Sequence, residues 1–435
     1  MTDKELVKQI ITNSQLRMES IDVVDRNVKL PIDSGKIITV PGVRRCGKST
    51  LLLLTMKQLL AGGVDRRQIL FFNFDDERIK WSGQNLDTII VAYRELYPDI
   101  PLRDVYMFFD EVQMASDWQS FIRRIYEEEC RNIYITGSNS QMLSSELATV
   151  LRGRSLQYEE FPLSFDEVCR FRKVDTGVYG AASRARLASL FDEYLVWGGF
   201  PEVVMAPQEL RDKILSDYYY VMLYRDMVEH FNINPASVAR YFIRRVMENL
   251  TKPTSINKIY NELKSMGVSL SKDRAYSLAE QCEAVYLFLP LNRYMASVQR
   301  TTTSDVKYYC IDNGLRKLTL KPMSEDDGKR LENVVYLHLR RSLDEMQKLS
   351  HFKGVGECDF VVSRQEEVQM LIQVTWEMSE PDTYERELAG LLEASRATGC
   401  RDLFIVTHDE EKVIETECGE VNVVPAWKWT LTLHA

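Results

Sequence analysis

The stretch GVRRCGKST, residues 42–50, sets two glycines, a lysine and two hydroxyl residues at the spacing G-x-x-x-x-G-K-[ST] without a gap. The chemistry served by this spacing is the binding of a nucleoside triphosphate. Gly42 and Gly47 free the backbone to wrap a phosphate with its N–H groups, and Val43, Arg44, Arg45 and Cys46 complete the loop. Lys48 is expected to reach the β- and γ-phosphates of ATP, and the Ser49 hydroxyl to ligate Mg2+. Thr50 opens the apolar helix TLLLLTMKQLL, whose N-terminal dipole favours the same anion.

A second set of oxygens follows. VYMFFDEVQ, 105–113, is an apolar run that ends in two acids. As a buried strand it delivers Asp110 to the edge beside the loop, where it holds Mg2+ through water. Glu111 then polarises the attacking water. YITGSNS ends another run with Thr136, Ser138 and Asn139, and Asn139 is the favoured partner of the γ-phosphate or the lytic water. NFDDERI offers Asp75 and Asp76, either near the Mg2+ or in a solvated loop. LRGR offers Arg152 and Arg154, either as a surface pair or as an arginine finger on the transition-state charge, acting in cis or on a neighbouring subunit.

These residues need a parallel sheet to position them. KIITV, QILFFNF, VYMFFD and NIYIT are apolar runs of strand length alternating with helix-length segments, the pattern of a parallel sheet buried on both faces. The predicted ATPase core covers 31–165, after a short helix and lead-in at 1–30. Residues 166–250 read as helical, interrupted by WGGFPEVV at 197–204. Residues 251–322 run helix, turn, helix and a hairpin rich in Thr and Tyr, the layout of a winged helix. MSEDDGK, 323–329, reads as a polar linker. Residues 331–435 return to mixed α/β, with ECDFVV, MLIQVTW and DLFIVT as strands.

Composition sets limits. The charged start MTDKELVK has no secretory h-region, and no apolar run approaches the ~20 residues that span a bilayer. Eight scattered cysteines without a CxxC pair or a His/Cys cluster read as reduced, mostly buried thiols, with no structural metal. A cytoplasmic protein with no membrane partner is therefore expected. The net charge of −9 argues against a general polyanion binder, but the charge is uneven. Residues 251–321 hold 11 Lys and Arg against 6 Asp and Glu, whereas 331–435 hold 10 against 20.

GVRRCGKST, NFDDERI, FFDEVQ, DWQSFIRRI, ITGSNSQML, LRGR, PLSFDEV, WGGFPEVV and LYRDMVE occur in one order. In this the chain resembles bacterial and archaeal AAA-type P-loop ATPases with a C-terminal domain of unknown function and restriction-endonuclease-like fold. The resemblance runs over nearly the whole chain. It implies an α/β protein with an AAA- or RecA-like core, then a helical segment, a winged helix and a nuclease-like α/β domain. Nucleases of that fold need an acid on the first helix, an Asp at a strand start and (D/E)-x-K on the next strand, where the acids hold Mg2+. This sequence supplies Glu332 and Asp359. Gln373 stands where the second strand acid belongs and Thr375 where the lysine belongs, so the site is degraded. Arg386 is a candidate for the missing cation, and Glu357 or Glu387 for the missing charge. The expectation is a domain that binds or positions rather than cuts.

Two readings of the basic module stay open. Lys272 and Arg274 at the start of a recognition helix, with Arg293, Arg300 and Lys307 in or beside the wing, are placed to touch DNA phosphates. Alternatively, the chain is a nucleotide-controlled switch for protein partners, with no nucleic-acid role. A homo-oligomer is compatible with both.

Overall fold

Strand-length apolar runs fold as the sequence dictates in the first of two units, Met1–Phe161 with Ala284–Tyr286. The computed structural model describes residues 3–79, 86–138, 153–177, 180–295, 306–319 and 327–432. Helix α1 (Asp3–Ser20) is longer than its sequence suggested. It is followed by β1 (Ile37–Pro41), α2 (Lys48–Ala61), β2 (Ile69–Asn73), α3 (Asp87–Leu96), β3 (Tyr106–Asp110), α4 (Trp118–Glu128), β4 (Asn132–Gly137) and β5 (Ser155–Gln157). The sheet order is β2-β3-β4-β1-β5, and every pairing is parallel. Alternate residues serve opposite faces. Leu70, Phe72, Met107, Phe109, Ile133 and Ile135 join the core made with α1, α3 and α4. Ile38, Val40, Ile69, Phe108 and Tyr134 join the core made with α2. Burial on both faces explains why these strands read as unbroken apolar runs.

The second unit comprises Pro162–Glu283 and Leu287–Ala435. It opens with α5 (Phe165–Phe171), where Ser164 and Glu167 of PLSFDEV form a capping box. Helices α6 (Ala181–Trp197), α7 (Pro201–Met205) and α8 (Gln208–Val221) follow, and α8 runs into a π-helical stretch at Met222–Glu229. WGGF turns the chain between α6 and α7. A Cβ on Gly198 would stand 1.8 Å from Asp312 Oδ1, and one on Gly199 would stand 2.1 Å from the Leu163 carbonyl, so no side chain fits at either position. The Asp312 carboxylate accepts the N–H of Gly199 at 2.6 Å and that of Gly314 at 2.8 Å.

Next come α9 (Ala236–Glu248), α10 (Ile256–Ser265), α11 (Lys272–Ala284), and the antiparallel pair β6 (Phe288–Leu291) and β7 (Lys307–Cys310). Residues 251–254 run beside β7, with Thr251 N–H donating to the Tyr308 carbonyl at 3.0 Å. Helix α12 (Asn313–Thr319) precedes α13 (Asp327–Ser342), so the end of the expected linker is already helical. The rest forms β8 (Gln347–Lys353), β9 (Glu357–Arg364), β10 (Glu367–Val374), α14 (Pro381–Thr398), β11 (Leu403–Thr407), β12 (Lys412–Thr416), β13 (Gly419–Pro425) and α15 (Ala426–Trp429). The six-stranded order is β12-β13-β11-β10-β9-β8. β8, β9 and β10 are antiparallel neighbours, whereas β10, β11 and β13 are parallel.

Candidate functional site

The loop after β1 is wound by positions that tolerate little but glycine. A Cβ on Gly42 would lie 2.2 Å from the Glu160 carbonyl oxygen, and Gly47 has φ +115°. Arg45 takes the left-handed region with φ 67°. Val43 and Cys46 are fully buried, and burial pushes the Cys46 thiol up to about 11. Arg44 and Thr50 are half-buried, and Arg45 is exposed.

Lys48 opens α2 with its side chain buried. Its ammonium donates to the carbonyls of Gly42 at 3.0 Å and Val43 at 3.1 Å, and stands 3.4 Å from Glu111 Oε1. Ser49 Oγ donates to Asp110 Oδ2 at 2.7 Å. Thr136, on β4, donates to Asp110 Oδ1 at 2.5 Å and accepts the Glu111 N–H at 3.0 Å. Glu111 sits at φ 52°, which ends β3 and turns its carboxylate toward Lys48. Four of the expected residues, Lys48, Ser49, Asp110 and Glu111, therefore meet at the C-terminal edge of one sheet.

The charges sustain one another. Burial alone would lower the Lys48 pKa, but Glu111 and Asp110 outweigh it and hold the ammonium above its ordinary 10.5. Burial would raise the Glu111 pKa, but the Lys48 charge and the Gln113 hydrogen bond bring it below 4.5. Asp110 is different. Burial and then the neighbouring Glu111 charge raise its pKa above 3.8, a cost that a divalent cation beside it relieves. The Ser49 hydroxyl and the Asp110 carboxylate are hard oxygen donors in contact, a set that fits Mg2+.

Sequence reasoning missed two supports. Gln113 Nε2 donates to Glu111 Oε2 at 2.5 Å and to Ser138 Oγ at 3.1 Å, so it fixes the Glu111 carboxylate from below. Arg26, buried in what was read as a lead-in, donates to the carbonyls of Cys46 and Phe161, both at 2.9 Å, and pairs with buried Glu160. No local pattern marks Arg26, because its partners lie far along the chain. Gln113 stands next to the acid pair, where DEVQ was its only signal.

Other expectations are corrected. Arg154 precedes β5, whose Ser155 pairs with Ile37 at the start of β1. The loop follows the other end of β1, roughly 13–17 Å away. Arg154 is paired with Glu127 there, so a finger role on its own loop is not open to it. Asp76 is half-buried and tied to Arg78 at 2.6 Å, which lowers its pKa. Asn139 and Arg152 lie outside the described residues.

In the second unit, Glu332 on α13, Asp359 on β9 and Gln373 on β10 do converge. They line a cleft of about 1030 Å³ with Lys307, Arg386 and Glu387. Gln373 Oε1 accepts the Asp359 N–H at 3.1 Å, and Asp359 Oδ2 accepts the Val374 N–H at 3.1 Å. Thr375 hydrogen-bonds the Glu377 carbonyl at 3.1 Å. Arg386 turns to Glu387 at 2.6 Å, and Glu357 pairs with Lys353.

Lys307 lies on the hairpin read as the wing, but it does not face outward to meet DNA. It is 3% exposed, and its ammonium lies 3.0 Å from Asp359 Oδ1 and 3.7 Å from Glu332 Oε1. A lysine buried between two carboxylates cannot meet DNA. Its place on β7, pairing antiparallel with β6 and alongside 251–254, turns it inward. Lys272 is exposed above the Tyr276 ring, Arg274 donates to the Phe231 carbonyl at 3.1 Å, and exposed Arg293 bonds the Lys353 carbonyl. Arg300 lies outside the described residues. Among the described residues no group of three or more His, Cys, Asp or Glu is placed to hold a metal, and no helix is long and apolar enough to cross a membrane. All eight cysteines are buried and unpaired with one another.

Residues 34–169 match the AAA domain family, and residues 188–326 match a domain of unknown function, DUF8612. That second match lies ahead of the 331–435 segment where the sequence placed such a domain. An uncharacterized protein of Methanocaldococcus jannaschii is 31% identical over 449 residues, covering 99% of this chain and 97% of its own. An uncharacterized protein of Haemophilus influenzae is 30% identical, covering 82% of this chain and 86% of its own. A solved Walker-type ATPase of Pyrococcus abyssi is 14% identical with a TM-score of 0.41, covering 73% of this chain and 96% of its own.

Proposed function

The chain belongs to the family of the Methanocaldococcus jannaschii protein, with an AAA domain over residues 34–169, and on that footing we propose that it is a Mg2+-dependent ATP hydrolase. The observation that carries this reading is the meeting of Lys48, Ser49, Asp110 and Glu111 at one sheet edge.

In this reading the loop amides and the start of α2 hold the phosphates. Lys48 exchanges the carbonyls of Gly42 and Val43 for the β- and γ-phosphate oxygens. Ser49 and Asp110 would hold Mg2+, which neutralises charge on the β- and γ-oxygens when bound. Glu111 stays ionised beside Lys48 and takes a proton from the attacking water. That water forms its bond to the γ-phosphorus as the β–γ bridging bond breaks, and ADP departs with the electron pair. Gln113 and Thr136 orient the two acids. The reading is tested by phosphate release from ATP by the full chain, which is expected with Mg2+ and absent with EDTA. Equal phosphate release in the two, or none in either, would contradict it.

We read helix α9, the 251–254 segment, α10, α11 and the β6–β7 hairpin as a winged helix that touches DNA. The start of α11 supports this, because Ser271 Oγ accepts the Arg274 N–H at 3.2 Å and exposes Lys272 beside it. The helix α13, the meander β8–β10, α14 and parallel β11 follow the order of a restriction-endonuclease-like core. Its acids serve position rather than cleavage in this reading. Addition of DNA should raise the ATPase rate. A rate blind to DNA favours the protein-partner switch.

A further inference from the structure

The nuclease-like layout implies a divalent metal between Glu332 and Asp359, and the donors present do not fit one. Mg2+ demands near-octahedral oxygen coordination with short bonds. Both oxygens of Asp359 are engaged, Oδ1 by Lys307 at 3.0 Å and Oδ2 by the Val374 N–H at 3.1 Å. Glu332 Oε1 accepts the Tyr309 hydroxyl at 2.7 Å and faces Lys307 at 3.7 Å. The Gln373 carbonyl is spent on the Asp359 N–H at 3.1 Å, and its amide on Glu387. Two further acids of the cleft have cations of their own, Arg386 on Glu387 and Lys353 on Glu357.

We propose that Glu332 and Asp359 hold the Lys307 ammonium as their resident cation, so that this cluster is a metal-free clamp fastening β7 to α13 and β9. The neighbouring contacts have the same sense. Asn333, next to Glu332, accepts the Cys310 N–H at 2.8 Å and donates to the Cys310 carbonyl at 3.0 Å. Tyr309 stacks on Tyr336 of α13 with ring centroids 4.0 Å apart. β7 is thus stitched to α13 along its length, and the ion cluster closes its first residue. An ammonium hydrogen-bonded to Asp359 at 3.0 Å and ion-paired with Glu332 at 3.7 Å repels a dication entering between them, while it satisfies the buried charge that a metal otherwise balances. The degraded motif has a physical account in these terms. Once a lysine from another strand supplies the cation, the acid at 373 and the lysine at 375 are no longer needed.

The test is Mn2+ binding to the nucleotide-free full-length protein, followed by electron paramagnetic resonance. Wild type and Asp359→Asn should take up the same amount of Mn2+. Lys307→Ala should gain one equivalent, and the gain should vanish in the Lys307→Ala/Asp359→Asn double variant. Should Lys307→Ala fail to fold, thermal melting of Lys307→Arg and Lys307→Met substitutes for it. The charge-keeping variant should stay within a few degrees of wild type and the neutral one should fall well below it. Wild-type Mn2+ uptake that drops by one equivalent in Asp359→Asn overturns the proposal, because Lys307 would then stand beside a metal rather than in place of one. So does a folded Lys307→Ala protein that gains no Mn2+, or a Lys307→Met protein as stable as Lys307→Arg.

Discussion

Ser49 Oγ and Asp110 Oδ2 lie 2.7 Å apart, joining the first turn of α2 to the end of β3. In the proposed reading these two hard oxygens hold Mg2+. Ser49→Ala should raise the Mg2+ concentration for half-maximal ATPase rate by about 10- to 100-fold. A Mg2+ titration of the initial rate reads this directly. An unshifted midpoint would remove Ser49 from the site.

Arg26 and Glu160 form a buried pair behind the phosphate loop. Removing the guanidinium leaves a buried carboxylate without its cation. Arg26→Leu should therefore destabilise the first unit by about 3–5 kcal/mol in urea unfolding. Adding Glu160→Leu should recover much of that loss. If the double variant is no better than the single one, charge burial is not the cause.

Glu283 gives a pH signature. Burial raises its pKa from 4.5 to about 7, against the lowering effect of the Tyr308 hydrogen bond. The folded state keeps a proton that the unfolded chain releases. Its contribution is therefore full below about pH 4.5 and is lost as pH rises through about 7. Asp312, also raised to about 7 by burial, slopes the same way. Glu283→Gln should flatten the fall in unfolding free energy between these pH values by about 1–3 kcal/mol. Parallel wild-type and variant curves would place the titration elsewhere.

DNA affinity should fall with salt more gently than the sequence alone suggests. Lys307 is internal, which leaves Lys272, Arg274, Arg293 and Arg300 of the five cations assigned to DNA contact. Four phosphate contacts give a log–log slope of roughly −3.6. Replacing Lys272 and Arg274 together should shallow it by about two. A slope unchanged by that pair moves the contact away from α11.

The nucleotide site was legible because it is written locally. GVRRCGKST and FFDEVQ each hold their chemistry within nine residues, and apolar runs on either side fix the strands that present them. Three of the six strands of the mixed sheet, β9, β10 and β11, were legible for the same reason. Arg26, Arg154 and Lys307 were not, since each is defined by a partner far away in sequence. TTTSDVKYYC reads as a wing with an outward lysine, and only Asp359 and Glu332, brought in by a different sheet and helix, turn that lysine into a buried cation. Spacing reports the residues of one element. It does not report what packs over them.

Single-turnover hydrolysis by Glu111→Gln reads whether the Glu111 carboxylate drives ATP hydrolysis. The amide keeps the shape and loses the charge that takes the proton. The variant should bind ATP with Mg2+ as tightly as wild type, while the chemical step slows by about 10²- to 10⁴-fold. Hydrolysis by Glu111→Gln at the wild-type rate would contradict the account.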